Sequence, residues 1–285
     1  MERACPIRSV SRSIAVLRAI NQGEWLTLME ISKAVDLPYP TTFRIIKTLM
    51  HEGLVACEAS SKRYRVTALV QSLAAGYSAD GRLVGLARPH LEAMTRKHAW
   101  PMSLTTRVGR HMVVRDSTHT MSSLTFSNYA PGFTLPLLEC ASGHAVLASL
   151  DEATRHSLLA GLEAYERRSP LIEIFRTPRL VANIRDNGYA TWERNQHTPF
   201  PGKTSSIAVP VTENGQVVAA ITLVFFASAL PMAEAVRRFA GDLRTEAAAL
   251  SQQLSSDAQP QPELLSMDAS AALDEELLDE ALLED

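Results

Sequence analysis

Residues 27–53 constrain this chain more than any other stretch. Thr27-Leu28-Met29-Glu30 spells a capping box, in which the threonine hydroxyl and the glutamate carboxylate satisfy free N–H groups at a helix start. Leu28, Ile31 and Val35 then line one face of a short helix. Asp36-Leu37-Pro38 stops it, because a proline disfavours helical geometry in the residue before it. Pro40 opens the next helix, where its missing N–H costs nothing, and Gly53 caps it. Phe43, Ile46, Leu49 and Met50 are expected to pack inward, leaving Thr41, Thr42, Arg44, Lys47 and Thr48 on or near the outer face. An earlier helix is expected over 9–21, with Val10, Ile14 and Leu17 on one face and Gly23 as its stop. A hairpin follows, with strands at 54–57 and 63–66 joined by a polar turn at 58–62. Helix, helix, short turn, helix and basic hairpin make a winged helix-turn-helix, a unit that grips DNA.

The overall net charge of −3 looks wrong for a partner of DNA until the charge is located. Residues 255–285 hold ten acidic residues and no Lys or Arg, so the rest of the chain carries 28 basic against 21 acidic residues. The body is basic and the tail acidic, and the whole-chain balance averages two different things. The tail is expected to be a disordered, solubilising segment. Leu273, Leu277 and Leu278 between its acids leave open a helix that docks on a basic partner, either RNA polymerase or the chain's own DNA-binding face.

Three scattered cysteines, Cys5, Cys57 and Cys140, indicate neither a disulfide framework nor a zinc site. The first residues, Met1 to Pro6, have no apolar core and do not read as a secretory signal, so the expected compartment is the cytoplasm. A charge-free run of 17 residues, 217–233, is shorter than the ~20 a spanning helix needs. It is rich in Val, Ile, Thr and Phe before Pro231, which suits a buried strand rather than a membrane helix.

Beyond a linker helix at 67–81, residues 82–254 mix helices and strands. Helices are expected over 82–98, 142–149, 151–160, 173–187 and 232–254, and strands over 103–107, 112–116, 189–193, 205–211 and 217–226. Glu213-Asn214-Gly215-Gln216 is a hairpin turn signal joining the last two strands. The fold class is therefore α+β, with an antiparallel sheet covered on one face by helices. No catalytic arrangement is visible. Cys140-Ala141-Ser142-Gly143-His144 is not a G-x-S-x-G elbow, and the eight histidines form no H-E-x-x-H motif.

Three separated blocks, in order, carry a family resemblance. The first comprises Ser9-Val10-Ser11-Arg12-Ser13, Glu30-Ile31-Ser32, Leu37-Pro38, Thr41, Arg44, Thr48-Leu49 and Glu52-Gly53-Leu54-Val55. The second is Ala141-Ser142-Gly143-His144-Ala145-Val146-Leu147-Ala148. The third comprises Gly188-Tyr189-Ala190, Ser206-Ile207-Ala208-Val209-Pro210-Val211 and Val218-Ala219-Ala220-Ile221. Over residues 9–254 the chain resembles the IclR family of transcription regulators. Val113 to His119 and Leu135-Pro136-Leu137-Leu138 are most similar to its MhpR-type activators of aromatic acid catabolism. Pro40 departs from the pattern, standing where the family usually has a hydroxyl residue.

The resemblance implies a DNA-binding domain at 1–66, the linker at 67–81, a GAF-like effector domain at 82–254, and homodimers that pair into tetramers. It implies no cofactor and no metal. On the DNA side, Arg44 and Lys47 are placed to reach base edges, Tyr39, Thr41 and Thr42 lie at the same helix start, and Lys62, Arg63 and Arg65 supply the basic hairpin. Arg65 alone could equally be paired within the fold. Arg8 and Arg12 flank the first helix as candidate phosphate contacts.

On the effector side, the resemblance implies an acid held by backbone N–H groups near Ala141-Ser142-Gly143 and by strand positions that fall on Ser206, Thr222 and Val224. Val224 replaces a polar family residue, which favours a larger, aromatic acid. Arg115 is a candidate carboxylate clamp or an internal ion-pair partner, and His144 a ligand hydroxyl partner or a satisfied structural histidine. Activation of a catabolic operon by an aromatic acid is the expected function. Repression, with an aliphatic oxo acid as effector, is the competing outcome.

Overall fold

A computed structural model of the chain describes residues 7–23, 25–74, 81–125, 129–165, 170–193 and 204–256. They form two compact units, one within residues 1–81 and one from residue 82 on. The acidic tail from residue 257 lies outside the described residues, and the expected linker helix is represented by a short 3-10 helix, Ala68–Ala74.

The first unit builds three helices and a small sheet: α1 (Arg8–Gln22), β1 (Leu26–Thr27), α2 (Leu28–Ala34), α3 (Tyr39–His51), β2 (Val55–Cys57) and β3 (Arg63–Val66). The capping box forms as the sequence dictates. Glu30 N–H donates to Thr27 Oγ1 at 3.3 Å and Thr27 N–H to Glu30 Oε2 at 2.7 Å. That backbone bond, followed by the Thr27 hydroxyl, holds the Glu30 carboxyl below its ordinary range. α3 ends at Glu52, with Gly53 beyond it at φ +73°, a left-handed conformation that costs glycine nothing.

Val16, Ile20, Leu28, Ile31, Ile46, Leu49, Val55 and Tyr64 make the core of this unit. Two expected faces need correction. α1 buries Val16 and Ile20 with Leu17 beside them, while Val10 and Ile14 stay 51% and 53% exposed. In α3 the buried row is Thr42, Ile46 and Leu49, and Phe43 points outward. Both helices carry two apolar stripes, and only the tertiary partner decides which is buried. The two-residue β1, which no periodicity could announce, completes a sheet of order β1-β3-β2.

The second unit contains α4 (Gly81–His98), β4 (Met102–Val108), β5 (His111–Ser117), β6 (Thr134–Pro136), α5 (Ala141–Ser149), α6 (Glu152–Tyr165), α7 (Pro170–Arg176), α8 (Pro178–Asn187), β7 (Ala190–Trp192), β8 (Thr204–Glu213), β9 (Gln216–Phe226) and α9 (Met232–Ser256). The strands form one antiparallel sheet in the order β6-β5-β4-β9-β8-β7. A single helix over 173–187 does not form. Pro178 has no N–H to continue it and holds Thr177 extended at ψ 131°, so α7 ends and α8 begins there.

Both faces of the sheet are buried, not one. Ile207, Val209, Val211, Ala219, Ile221, Leu223 and Phe225 pack with Leu91 and Met94 of α4 and Leu243 and Leu250 of α9. On the opposite face Ala208 and Ala220 pack with Ala145 and Leu147 of α5 and with Leu159, Phe175 and Ile184. Burial on both faces is why 217–226 reads as a continuous apolar run rather than an alternating one. Among the described residues no helix is long and apolar enough to cross a membrane.

Candidate functional sites

In the first unit the outward face of α3 presents Tyr39, Phe43, Arg44 and Lys47, all exposed, with Thr41 half-buried beside them. No acidic residue occurs between Tyr39 and His51. Lys47 Nζ lies 5.7 Å from the centroid of the Phe43 ring. Thr42 corrects the expectation. It is 0% exposed, and its hydroxyl donates to the Pro38 carbonyl at 3.2 Å, so it supports the helix start from within and has no atom to offer a phosphate.

Arg8 and Arg12 are exposed along α1. In the hairpin, Lys62 is exposed at φ +52° in the turn. Arg63 is half-buried, donating to the Trp25 carbonyl at 2.7 Å with Glu30 at 3.6 Å. Arg65 is exposed but rests on the Trp25 ring, 4.7 Å from its centroid. Trp25 therefore fixes the base of the hairpin from both sides, leaving Lys62 at its tip.

In the second unit the expected helix start is a tightly built turn. Residues 137–139 form a 3-10 helix, and Cys140, extended at φ −152°, caps α5. Burial pushes the Cys140 thiol up to about 11, so it stays protonated. Its S–H donates to the Pro136 carbonyl at 3.3 Å, and its sulfur accepts the Gly143 N–H at 3.3 Å. The His144 N–H donates to the Cys140 carbonyl. Of the four N–H groups that a helix start exposes, those of Gly143 and His144 are thus occupied. The N–H groups of Ala141 and Ser142 have no partner among the described residues.

His144 is tied into the fold through one ring nitrogen. It is 7% exposed, its Nε2 meets the Leu138 carbonyl at 2.7 Å, and its ring sits edge-on to Phe175 and Trp192. A carbonyl only accepts, so Nε2 carries the proton and the neutral ring keeps Nδ1 as an acceptor. Burial pushes the histidine down to about 4 from its usual 6.5, and the Leu138 bond opposes this less strongly. The unfolded chain binds this proton near pH 6.5 and the folded domain near 4. Stability is therefore full above pH 6.5 and is lost as pH falls towards 4, by about 3 kcal/mol at most. A His144→Gln variant, compared with wild type by chemical denaturation across pH 4–7.5, should lack that part of the slope. Parallel profiles for the two proteins would show that His144 is not its source.

α5 lies against β8 and β9. Direct cross-strand partners share a face. Since Ala208 pairs with Thr222 and packs in the α5 cluster, Thr222 faces α5 as well. So do Ser206 and Val224, an opposed pair two residues along. Thr222 is 6% exposed, and its hydroxyl is buried without a hydrogen-bond partner. The same register sets Ser103 of β4 opposite Thr222, and Ser117 of β5 opposite Ser103. These two buried hydroxyl residues extend the face, and sequence reasoning missed them because pairing across three strands leaves no local signal. Ala141, Ser142 and Gly143 are all buried at the start of α5. Arg115 is the extra residue of a bulge in β5, since Leu104 pairs with Asp116 and Thr105 with Val114. It is half-buried and engaged within the chain.

Comparison with known proteins matches both units. Residues 9–58 match the IclR helix-turn-helix domain, and residues 77–252 match the family described as Bacterial transcriptional regulator IclR C-terminal. The HTH-type transcriptional regulator TsaQ1/TsaQ2 of Comamonas testosteroni is 24% identical over 144 residues, covering 50% of this chain and 52% of the relative. The chain spans about half the length of the curated relatives it matches. Among solved structures, an IclR family transcriptional regulator from Brucella abortus superposes with a TM-score of 0.60 at 22% identity, over 91% of this chain and 95% of that one. An IclR homolog from Microbacterium hydrocarbonoxydans, complexed with 4-hydroxybenzoate, gives 0.60 at 24% identity, over 87% and 100%. The two family matches together take in both units and well over half of the residues: this chain belongs to the IclR family of bacterial transcriptional regulators.

Proposed function

We propose that the chain is a transcriptional regulator that binds double-stranded operator DNA as a homodimer or a dimer of dimers and responds to an aromatic carboxylic acid, activating a catabolic operon. The DNA contacts are Tyr39, Thr41, Arg44 and Lys47 on α3, Lys62 with Arg63 and Arg65 in the hairpin, and Arg8 and Arg12 on α1. Family membership and the acid-free, basic outward face of α3 support this assignment.

The effector reading rests on one observation above all, the buried Thr222 hydroxyl with no partner on the face against α5. An unsatisfied buried hydroxyl costs about 1–3 kcal/mol, a penalty that a ligand's polar group would relieve. The N–H groups of Ala141 and Ser142 at a helix start, without a partner among the described residues, favour a carboxylate. Val224, Ala208 and Ala220 make the rest of the surface apolar, as an aromatic ring requires. A protein of the same fold is known in complex with 4-hydroxybenzoate. The similarity of residues 113–119 and 135–138 to MhpR-type activators favours activation over repression.

Calorimetry with full-length protein tests the reading, titrating 4-hydroxybenzoate and related phenolic acids against glyoxylate and pyruvate. A phenolic acid should bind most tightly. Thr222→Val should weaken it by ~1 kcal/mol or more while leaving operator affinity without ligand unchanged. Tighter binding of an aliphatic oxo acid than of any phenolic acid would refute the aromatic assignment.

A further inference from the structure

We propose that Phe43 reads the methyl group of a thymine in the operator, forming the apolar centre of a base-reading face that Arg44 and Lys47 flank. The inference rests on the DNA-binding reading above and names what that face recognises. α3 turns Thr42, Ile46 and Leu49 into the core, and Phe43, one residue along from Thr42, is 40% exposed on the other side. Tyr39, Phe43 and Lys47 follow one another at single-turn intervals, forming a stripe along the helix with Arg44 beside it. The stripe contains two large aromatic side chains, two cations and no carboxylate.

A single exposed apolar side chain is ordinary, but here two aromatic side chains one turn apart share a stripe with two cations on the helix that the DNA-binding reading places in the groove. A surface that covers this stripe must be both polyanionic and locally apolar. The major groove of B-DNA admits a helix, and the C5-methyl of thymine is the apolar group among its base edges. Arg44 suits the neighbouring chemistry, since its fork matches guanine O6 and N7. Lys47 Nζ, 5.7 Å from the centroid of the Phe43 ring, places its charge within the stripe.

Full-length protein is first used to select its consensus from a pool of random duplexes. Each thymine of that consensus is then replaced by deoxyuridine, which keeps the base pair and removes only the methyl. At one thymine per half-site the replacement should weaken wild-type binding about fourfold, the worth of one buried methyl. Phe43→Ala should be indifferent to the same replacement, and Phe43→Leu, which keeps an apolar tip, should retain part of the response. An equal loss on deoxyuridine in wild type and Phe43→Ala would overturn the proposal. Selection of an unchanged consensus by Phe43→Ala would overturn it too, as would a change in oligomeric state with thymine dependence intact. A pool from which wild-type protein enriches no sequence would overturn the DNA-binding reading itself, an outcome distinct from the others.

Discussion

Replacing Gly143 by alanine should unfold or severely loosen the C-terminal unit while leaving the N-terminal one intact. A Cβ at this position would sit 1.8 Å from the Leu137 carbonyl oxygen, 2.8 Å from its carbon and 3.1 Å from its Cα. All three are backbone atoms, so no side chain can rotate away. Leu137 itself is 1% exposed and its N–H is bonded to the Arg110 carbonyl, which ties the turn before α5 to the sheet. The methyl is therefore accommodated only by displacing the start of α5, where Cys140 caps the Gly143 N–H and His144 bonds Leu138. Overpacking of a close-packed interior costs typically 1–3 kcal/mol where side chains can adjust, and a backbone clash of this depth should exceed 3 kcal/mol. Two-stage thermal unfolding would show the loss, with the transition of residues 82–256 shifted down and that of the first unit unmoved. Gly143→Ala melting within a degree or two of wild type would mean that this close approach does not exist.

Arg44→Ala should have the largest effect on DNA. The side chain is exposed on the outward face of α3, with no side-chain partner to release among the described residues and no carboxylate on its own helix. Removing a bidentate guanine contact costs ~1–3 kcal/mol and relaxes the base preference at that position. The proposed dimer on two half-sites would lose the proposed contact twice, so affinity should fall roughly thirtyfold or more. Arg44→Lys should not restore it, because an ammonium lacks the planar fork. Lys62→Ala provides the contrast. At the tip of the hairpin it should weaken binding to all sequences alike and reduce the salt dependence by about one ion. Quantitative gel shifts on operator and single-base variants separate the two behaviours. An Arg44→Ala protein with undiminished base preference would show that another face of the domain reads the DNA.

What could be read from the sequence followed the range of the interactions. The capping box at Thr27–Glu30, the stop at Pro38 and the left-handed Gly53 act within a few residues, and they fix the helix-turn-helix before any tertiary contact is considered. Which stripe of α1 or α3 is buried depends on distant partners, and periodicity chose Val10, Ile14 and Phe43 where the fold buries Val16, Ile20 and Thr42. The sheet domain shows the same division. Pro178 is a local signal that was overrun by the apolar pattern around it, whereas the burial of both sheet faces is written only in the lack of alternation along 217–226.

The candidate effector face was legible chiefly through family resemblance, which singled out Ala141 to Gly143, Ser206, Thr222 and Val224. That Thr222 is left without a partner while His144 has one depends on cross-strand register and on the Leu138 carbonyl. Neither is visible in a string of residues.

Fluorescence anisotropy of a labelled operator duplex measures the proposed coupling between acid binding and operator binding directly. Full-length protein is titrated onto the duplex with and without the tightest-binding phenolic acid. A ligand shifts operator affinity only by its differential affinity for the states that bind and release DNA. A clear shift in operator affinity is expected with the acid. Thr222→Val should move the acid concentration required upward about fivefold, in step with its weaker ligand binding. Operator affinity that ignores every acid of either class, or a Thr222→Val protein responding at the wild-type concentration, would contradict the proposed coupling.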